Sequence, residues 1–173
     1  MKRFAVLFIL VFTAGIFIGR FTPHPAIIRE NETSTKTVLT QKFATIKVAR
    51  VIDGDTIELE GGERVRYIGI DAPELEYSRK QVQCFADESK KKNQELVEGK
   101  EIRLEKDTRD RDAFGRLLRY VYRGNVFINL ELVRQGFALT ATYPPDVKYQ
   151  ADFLKAQKEA GEAKRGLWGG CVY

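Results

Sequence analysis

Four carboxylates stand in two short runs, "DGDT" at 53–56 and "DAPE" at 71–74, with Arg66 between them and Arg116 downstream in "DAFGR". The only histidine is His24, near the N-terminus. A histidine general base, a Ser-His-Asp triad and a histidine-rich zinc centre are therefore closed to the remainder of the chain. Serine is scarce too, at Ser34, Ser78 and Ser89. Hydrolytic chemistry would fall to carboxylates, arginines and an oxygen-loving metal. A hard divalent cation suits paired aspartates: calcium takes six to eight oxygens and accepts carboxylates, backbone carbonyls and water together. Such a site binds weakly, in the ~10⁻⁴–10⁻³ M range of extracellular modules. An arginine fork such as Arg66 can hold a phosphate through two parallel hydrogen bonds, which a lysine cannot. Each residue also has an ordinary reading: Asp53-Gly54 is a hairpin signal, and isolated arginines usually lie on surfaces.

Elements of alternating hydrophobicity frame these residues. Ile46 and Val48 alternate with Lys47 and Ala49 ahead of Val51 and Ile52, "TIELE" resumes after "DGD", and Gly61-Gly62 turns the chain into "ERVRYIGI". Three strands with short turns make an antiparallel meander. In that order the start of the second strand lies beside the end of the third, so Asp55 and Asp71 converge. Two unpaired carboxylates would repel unless a cation or proton sat between them. Residues 79 to 98 read as a helix with a polar exposed side, ending at Gly99. "EIRLEKD" is a further strand, and "GRLLRYVYRGNVFI" is a hairpin turning at Gly124-Asn125. Asn129 falls where an N-cap belongs, before a helix stopped by Gly136. A last helix carries Tyr149, Phe153, Ala156, Ala160 and Ala163 along one stripe, with Trp168 sealing its end. The class is α+β. Five short strands with a helix between the third and fourth match the partly open Greek-key OB-fold barrel, with about three helices.

The ends of the chain speak to location. Lys2 and Arg3 precede an apolar run from Phe4 to Ile18, closed by Gly19 and Arg20. Residues 1–20 read as a signal peptide or an N-terminal membrane anchor, a tether through residues 4–19, and either directs the chain out of the cytoplasm. Residues 21–42 read as a flexible linker, with two prolines and no sustained period, leaving 43–173 as the functional domain. The expected destination is secretion or the outer face of the cell membrane. Lys2, Arg3 and Arg20 supply three of the formal charges, so +5 less these three leaves +2 for the rest. That mildly basic balance tolerates a polyanion without requiring one. Cys84 and Cys171, in an oxidising compartment, are either one disulfide or two free thiols.

"IDGDT", "VRYIGIDAPE", "DAFGR" and "LVRQGFA" together resemble the staphylococcal nuclease (thermonuclease) family, in order and in spacing, over Thr45 to Trp168. The resemblance implies a calcium-dependent nuclease that hydrolyses phosphodiester bonds of single- and double-stranded DNA and of RNA, leaving 3′-phosphate and 5′-hydroxyl ends. It implies that Asp55, Asp71 and the Ala72 carbonyl bind Ca2+, that Glu74 orients or deprotonates the attacking water, and that Arg66 and Arg116 hold the phosphate. Thr56 completes the "DGDT" match. The expected protein is a monomer without an evident protein partner. A catalytically degenerate OB-fold module, binding nucleic acid or protein without cutting, is the alternative; such domains tend to lose the residues that Arg66, Glu74 and Arg116 represent. A calcium-stabilised surface module is another, and it offers no reason for the arginines. Ala113 and Phe114 depart from the lysine and tyrosine of the best-known member. "TATYPPDVKY" departs from its base pocket, aligning Thr142 and Pro144 with the pocket tyrosines and leaving Tyr143 either to stack a base or to pack in its loop.

Overall fold

Alternation of buried and exposed side chains builds a barrel from five short strands. The computed structural model describes residues 44–75 and 83–171; the readings of residues 1–20 and 21–42 lie outside the described residues. Strand β1 (Ile46–Val51) pairs antiparallel with β2 (Thr56–Leu59), and a register shift between Val48 and Arg50 lets Val48 and Val51 both face inward although three residues apart. Strand β3 (Arg64–Tyr67) returns along β2 with Thr56 opposite Arg66. The two strand ends that carry the acidic runs thus meet, as the meander predicts.

The expected single strand "ERVRYIGI" is in fact two. Gly69 has φ +83, and a Cβ there would overlap the Phe153 ring. The chain kinks at this glycine, which tolerates positive φ at no steric cost, and starts β4 (Gly69–Asp71) in a new direction. Strand β4 leaves the barrel to pair with the short β8 (Leu139–Ala141), Asp71 opposite Leu139. This break aims Asp71 away from the barrel wall.

Between them come helix α1 (Ala86–Val97), β5 (Glu101–Glu105), β6 (Leu117–Arg123), β7 (Val126–Phe127) and helix α2 (Ile128–Arg134). The order β3-β2-β1-β5-β6 closes on itself through a parallel β3–β6 pairing. The result is the expected α+β five-stranded barrel. Ile57, Val65, Ile102 and Val121 fill its interior, while Tyr120 meets Phe127, Tyr149 and Phe153 beneath α2 and helix α3 (Gln150–Glu162). Fully burying an aliphatic or Phe side chain of this kind contributes about 1.5–3 kcal/mol. A short fourth helix, α4 (Leu167–Gly170), follows.

Three local readings are corrected. Helix α1 begins at Ala86 rather than 79, because Phe85 takes a left-handed conformation (φ 74) and 83–85 form a turn; residues 79–82 lie outside the described residues. Asn129 is not an N-cap. It lies inside α2, fully buried, where its side chain accepts the Val121 N–H at 2.9 Å and donates to the Ile68 carbonyl at 2.9 Å. It therefore fastens α2 to the barrel where β3 gives way to β4. Ala163 is exposed past the end of α3, so the buried stripe stops at Ala160.

Candidate active site

The "DGD" turn is held by its own polar groups. Asp53 Oδ1 accepts the Asp55 N–H at 3.0 Å, the Ile52 N–H reaches the Thr56 carbonyl at 2.9 Å, and the Tyr67 N–H reaches the Asp55 carbonyl at 2.9 Å. Gly54 lies against the "DAPE" segment: a Cβ there would sit well inside contact distance of the Ala72 Cβ and 3.0 Å from the Ser89 Cβ. Close approach, rather than an unusual φ, is what requires glycine. The Asp55 carboxylate, only 4% exposed, accepts the Ala72 N–H at 2.7 Å and the Thr56 hydroxyl at 3.1 Å. Thr56 thus orients Asp55 through its hydroxyl.

Arg66 projects from β3 between the two acidic runs. One guanidinium nitrogen donates to Asp71 at 2.7 Å and reaches Asp55 at 3.0 Å; the other donates to the carbonyls of Tyr67 at 2.9 Å and Ile70 at 2.7 Å. Asp55 and Asp71 therefore converge on one positive charge. Burial pushes the Asp55 carboxyl above the usual range; Arg66 opposes this, Asp53 adds to it, and the Ala72 N–H counters it. One guanidinium does not offset the desolvation of Asp55, so further positive charge beside that carboxylate would be favourable. Among the described residues no three His, Cys, Asp or Glu side chains cluster as a metal site. The donor set is two carboxylates with Ala72 beside them, its N–H committed to Asp55. All-oxygen donors around a demand for positive charge fit a hard cation and would suit softer metals poorly.

Glu74 is exposed and borders the same space. Burial, then the charges of Asp53 and Asp71, raise its carboxyl pKa, while Arg66 and Arg116 draw it down. Its backbone is clamped by Gln83: the Glu74 N–H donates to Gln83 Oε1 at 2.9 Å, and the Gln83 N–H to the Glu74 carbonyl at 3.0 Å. Arg116 opens β6 from a tight turn built by Asp112, whose Oδ1 accepts the N–H groups of Phe114 (2.9 Å) and Arg116 (3.0 Å) and whose Oδ2 accepts Arg116 Nε at 2.7 Å. Burial works against ionising Asp112, but the combined hydrogen bonds from Arg116 and Phe114 outweigh it and hold the carboxyl below its ordinary range. Fixing Nε leaves the far end of the guanidinium for a ligand.

Arg66, Asp71, Glu74 and Arg116 line one cleft of about 440 Å³, with Phe114 and Tyr143 on its walls. A second cleft of about 420 Å³ contains Asp55 and Arg64 and shares Glu74, Phe114 and Arg116 with the first. The space thus continues on both sides of Glu74 and Arg116. Phe114 is 84% and Tyr143 67% exposed, so Tyr143 is not consumed by packing within its loop. The six expected site residues gather at one end of the barrel. Sequence reasoning passed over Asp112, Gln83 and Asn93. The last is fully buried in α1, donating to the Asp53 carbonyl at 3.0 Å and accepting the Tyr67 hydroxyl at 3.0 Å. Signals existed for two of them: Ser89 and Asn93 share the inward stripe of Ala86 and Val97, and Asp112 precedes Gly115 at turn spacing.

Residues 64–170 match the family described as "Staphylococcal nuclease homologue". The chain is 36% identical over 127 residues to a thermonuclease of Staphylococcus hyicus, covering 72% of this chain and 75% of that one. It is 37% identical to a thermonuclease of Staphylococcus intermedius, covering 70% and 74%. A third relative, endonuclease YncB of Bacillus subtilis (strain 168), is 36% identical over 133 residues, covering 74% of this chain and 63% of its own length. The matched span runs from the first residue of β3 to the end of α4 and takes in Arg66, Asp71, Ala72, Glu74 and Arg116, while Asp55 precedes it and joins them through the fold. With barrel, cleft and relatives in agreement, the chain belongs to the staphylococcal nuclease family.

Proposed function

We propose that the protein is a nuclease that hydrolyses phosphodiester bonds of DNA and RNA with the help of Ca2+, leaving 3′-phosphate and 5′-hydroxyl ends. The observation that carries this reading is the placement of Arg66, Glu74 and Arg116 on one cleft beside the convergent Asp55 and Asp71. Asp55, Asp71 and the Ala72 carbonyl would hold the cation, which when bound would neutralise phosphate charge and polarise the phosphorus centre. Glu74 takes a proton from water as its oxygen attacks phosphorus; the bond from phosphorus to the 5′ oxygen breaks, that oxygen takes up a proton from solvent, and Glu74 releases its own to solvent. Arg116, with Nε fixed by Asp112, presents its remaining donors to the equatorial oxygens as charge builds. Arg66 lines the same cleft and, were Asp55 and Asp71 to hold the cation, would have its guanidinium donors available to a phosphate oxygen. Catalysis of this kind is chiefly positioning and electrostatic stabilisation.

Clefts on both sides of Glu74 and Arg116 suit a polynucleotide that passes through rather than an end that stops there, which supports internal cleavage. Residues 43–173 are the nuclease domain, 21–42 a linker, and 1–20 the segment that exports or tethers it. Secretion or display on the outer face of the cell membrane accords with the Cys84–Cys171 disulfide. Glu74→Gln tests the assignment: cleavage of DNA is expected to fall by ~10² or more, with Ca2+ binding by titration calorimetry retained. An active variant would remove Glu74 from the chemistry.

A further inference from the structure

The clamp on Glu74 comes from a residue that has its own anchor. Gln83 is joined to Glu74 by the two reciprocal hydrogen bonds described above, one from its backbone and one to its side chain. Its neighbour Cys84 is bonded to Cys171, 87 residues away in sequence. Cys171 follows α4, which is itself fixed: Leu167 is fully buried, and its N–H donates to the Gly136 carbonyl at 2.9 Å. Next along the chain is Phe85, a non-glycine residue at φ 74. Residues hold such a conformation only where their surroundings over-determine it. Here the bridge constrains one side, and the Phe85 ring against Phe137 (5.4 Å between centroids) and the start of α1 constrain the other. Opening the bridge removes one of these two constraints, so that rotation at Phe85 would be able to carry Gln83 away from Glu74.

We propose that Gln83 is a positioning residue for Glu74 and that the Cys84–Cys171 bridge keeps Gln83 in place, so that turnover is full only when the bridge is closed. The inference rests on the reading of Glu74 as the water-activating carboxylate. Opening the bridge consumes two electrons and two protons: a dithiol is oxidised to its own disulfide, and Cys84 and Cys171 become thiols. A chain held in a reducing compartment would accordingly be a poor nuclease until exported.

The test uses the full chain with Ca2+ and DNA, assayed well below each variant's melting midpoint. Gln83→Met, which keeps the bulk and removes the acceptor, is expected to lower kcat by about 10-fold or more, since small misplacements of catalytic groups cost up to ~10². KM should stay within about twofold, because the Glu74 carboxylate acts on water rather than holding the substrate. Cys84→Ala combined with Cys171→Ala should lower kcat comparably, as should dithiothreitol on the unaltered chain. Adding Gln83→Met to the bridge-free chain should cost little more, since both changes release one contact. Wild-type kcat in both the Gln83 and the bridge-free variants, with Glu74→Gln inactive, would overturn this inference alone. Losses that multiply would also overturn it by separating the bridge's effect from that of Gln83, and losses that fall on KM by placing the effect on substrate binding. An active Glu74→Gln would overturn the reading of Glu74 and this proposal together.

Discussion

Gly54→Ala is the most demanding perturbation of the site that leaves every chemical group in place. Gly54 does not occupy a positive-φ conformation, so alanine brings no backbone penalty there. The added methyl group would, however, stand well inside contact of the Ala72 Cβ and 3.0 Å from that of Ser89. Ordinary carbon–carbon contact lies at ~3.5–4.0 Å, so the "DGD" turn and the "DAPE" segment must separate by about 1 Å. Overpacking of this kind costs about 1–3 kcal/mol. The same movement stretches the 2.7 Å hydrogen bond from the Ala72 N–H to Asp55, a bond to a charged group worth about 1.5–3 kcal/mol. With partial relaxation, a loss of about 2–4 kcal/mol is expected, or roughly 6–16 °C in melting midpoint for a domain of this size. Activity should fall further than stability suggests, by ~10², because Asp55, Asp71 and Glu74, on which the proposed chemistry depends, lose their mutual placement. Circular dichroism melts and steady-state cleavage of DNA read the two effects. The companion Ala72→Gly removes the nearer methyl while keeping the Ala72 carbonyl, so the double variant should recover most of the activity. A wild-type Gly54→Ala, or a double variant no better than the single, would refute the claim that contact between these turns builds the site.

Two further outcomes follow from other contacts. Arg116→Ala should lower turnover by ~10²–10³, the usual effect of removing one preorganised donor, with an unchanged fold by circular dichroism; near-normal turnover would take Arg116 off the phosphate. Asp146, buried, accepts the N–H groups of Thr108 (3.0 Å) and Arg109 (2.8 Å) and the Arg109 Nε. Burial opposes its ionisation, but the Arg109 backbone and side-chain bonds outweigh it and hold its pKa low. A lowered folded-state pKa gives stability that is present above the unfolded value of ~3.9 and lost as pH falls through the folded value. Asp146→Asn should therefore cost about 1–3 kcal/mol at neutral pH and progressively less in acid, seen as urea curves that converge as pH falls through the lowered folded value; a penalty independent of pH would contradict this.

The barrel and the site were legible in the sequence to different depths. Period-two alternation placed β1, β2 and β3, and the antiparallel meander brought Asp55 to the end of β3, since Thr56 must face Arg66, while β4 beyond Gly69 sets Asp71. What periodicity could not carry was direction. The strand "ERVRYIGI" has one hydrophobic pattern but two orientations, because a single glycine at φ +83 turns it beside Phe153. Buried polar residues were hidden for a related reason. Asn129 has the composition of a cap and the location of a core bond, and only the neighbouring carbonyls decide between the two. Asn93 sits in a strongly charged helix, where only its place on the stripe of Ala86 and Val97 marks it as inward-facing, and nothing in that spacing names the Asp53 carbonyl as its partner. Arg66 could be read by type as a candidate phosphate ligand. That it also holds both acidic runs together depends on distances that spacing does not encode.

The central claim is that this end of the barrel cuts phosphodiester bonds with an oxygen-bound cation. The most direct measurement is incubation of the purified chain with end-labelled single-stranded DNA in Ca2+ and then in excess chelator, with the product ends mapped. Calcium-dependent internal cleavage leaving 3′-phosphate and 5′-hydroxyl ends is the predicted result. Binding in Ca2+ without cutting, or cutting unaffected by the chelator, would contradict it.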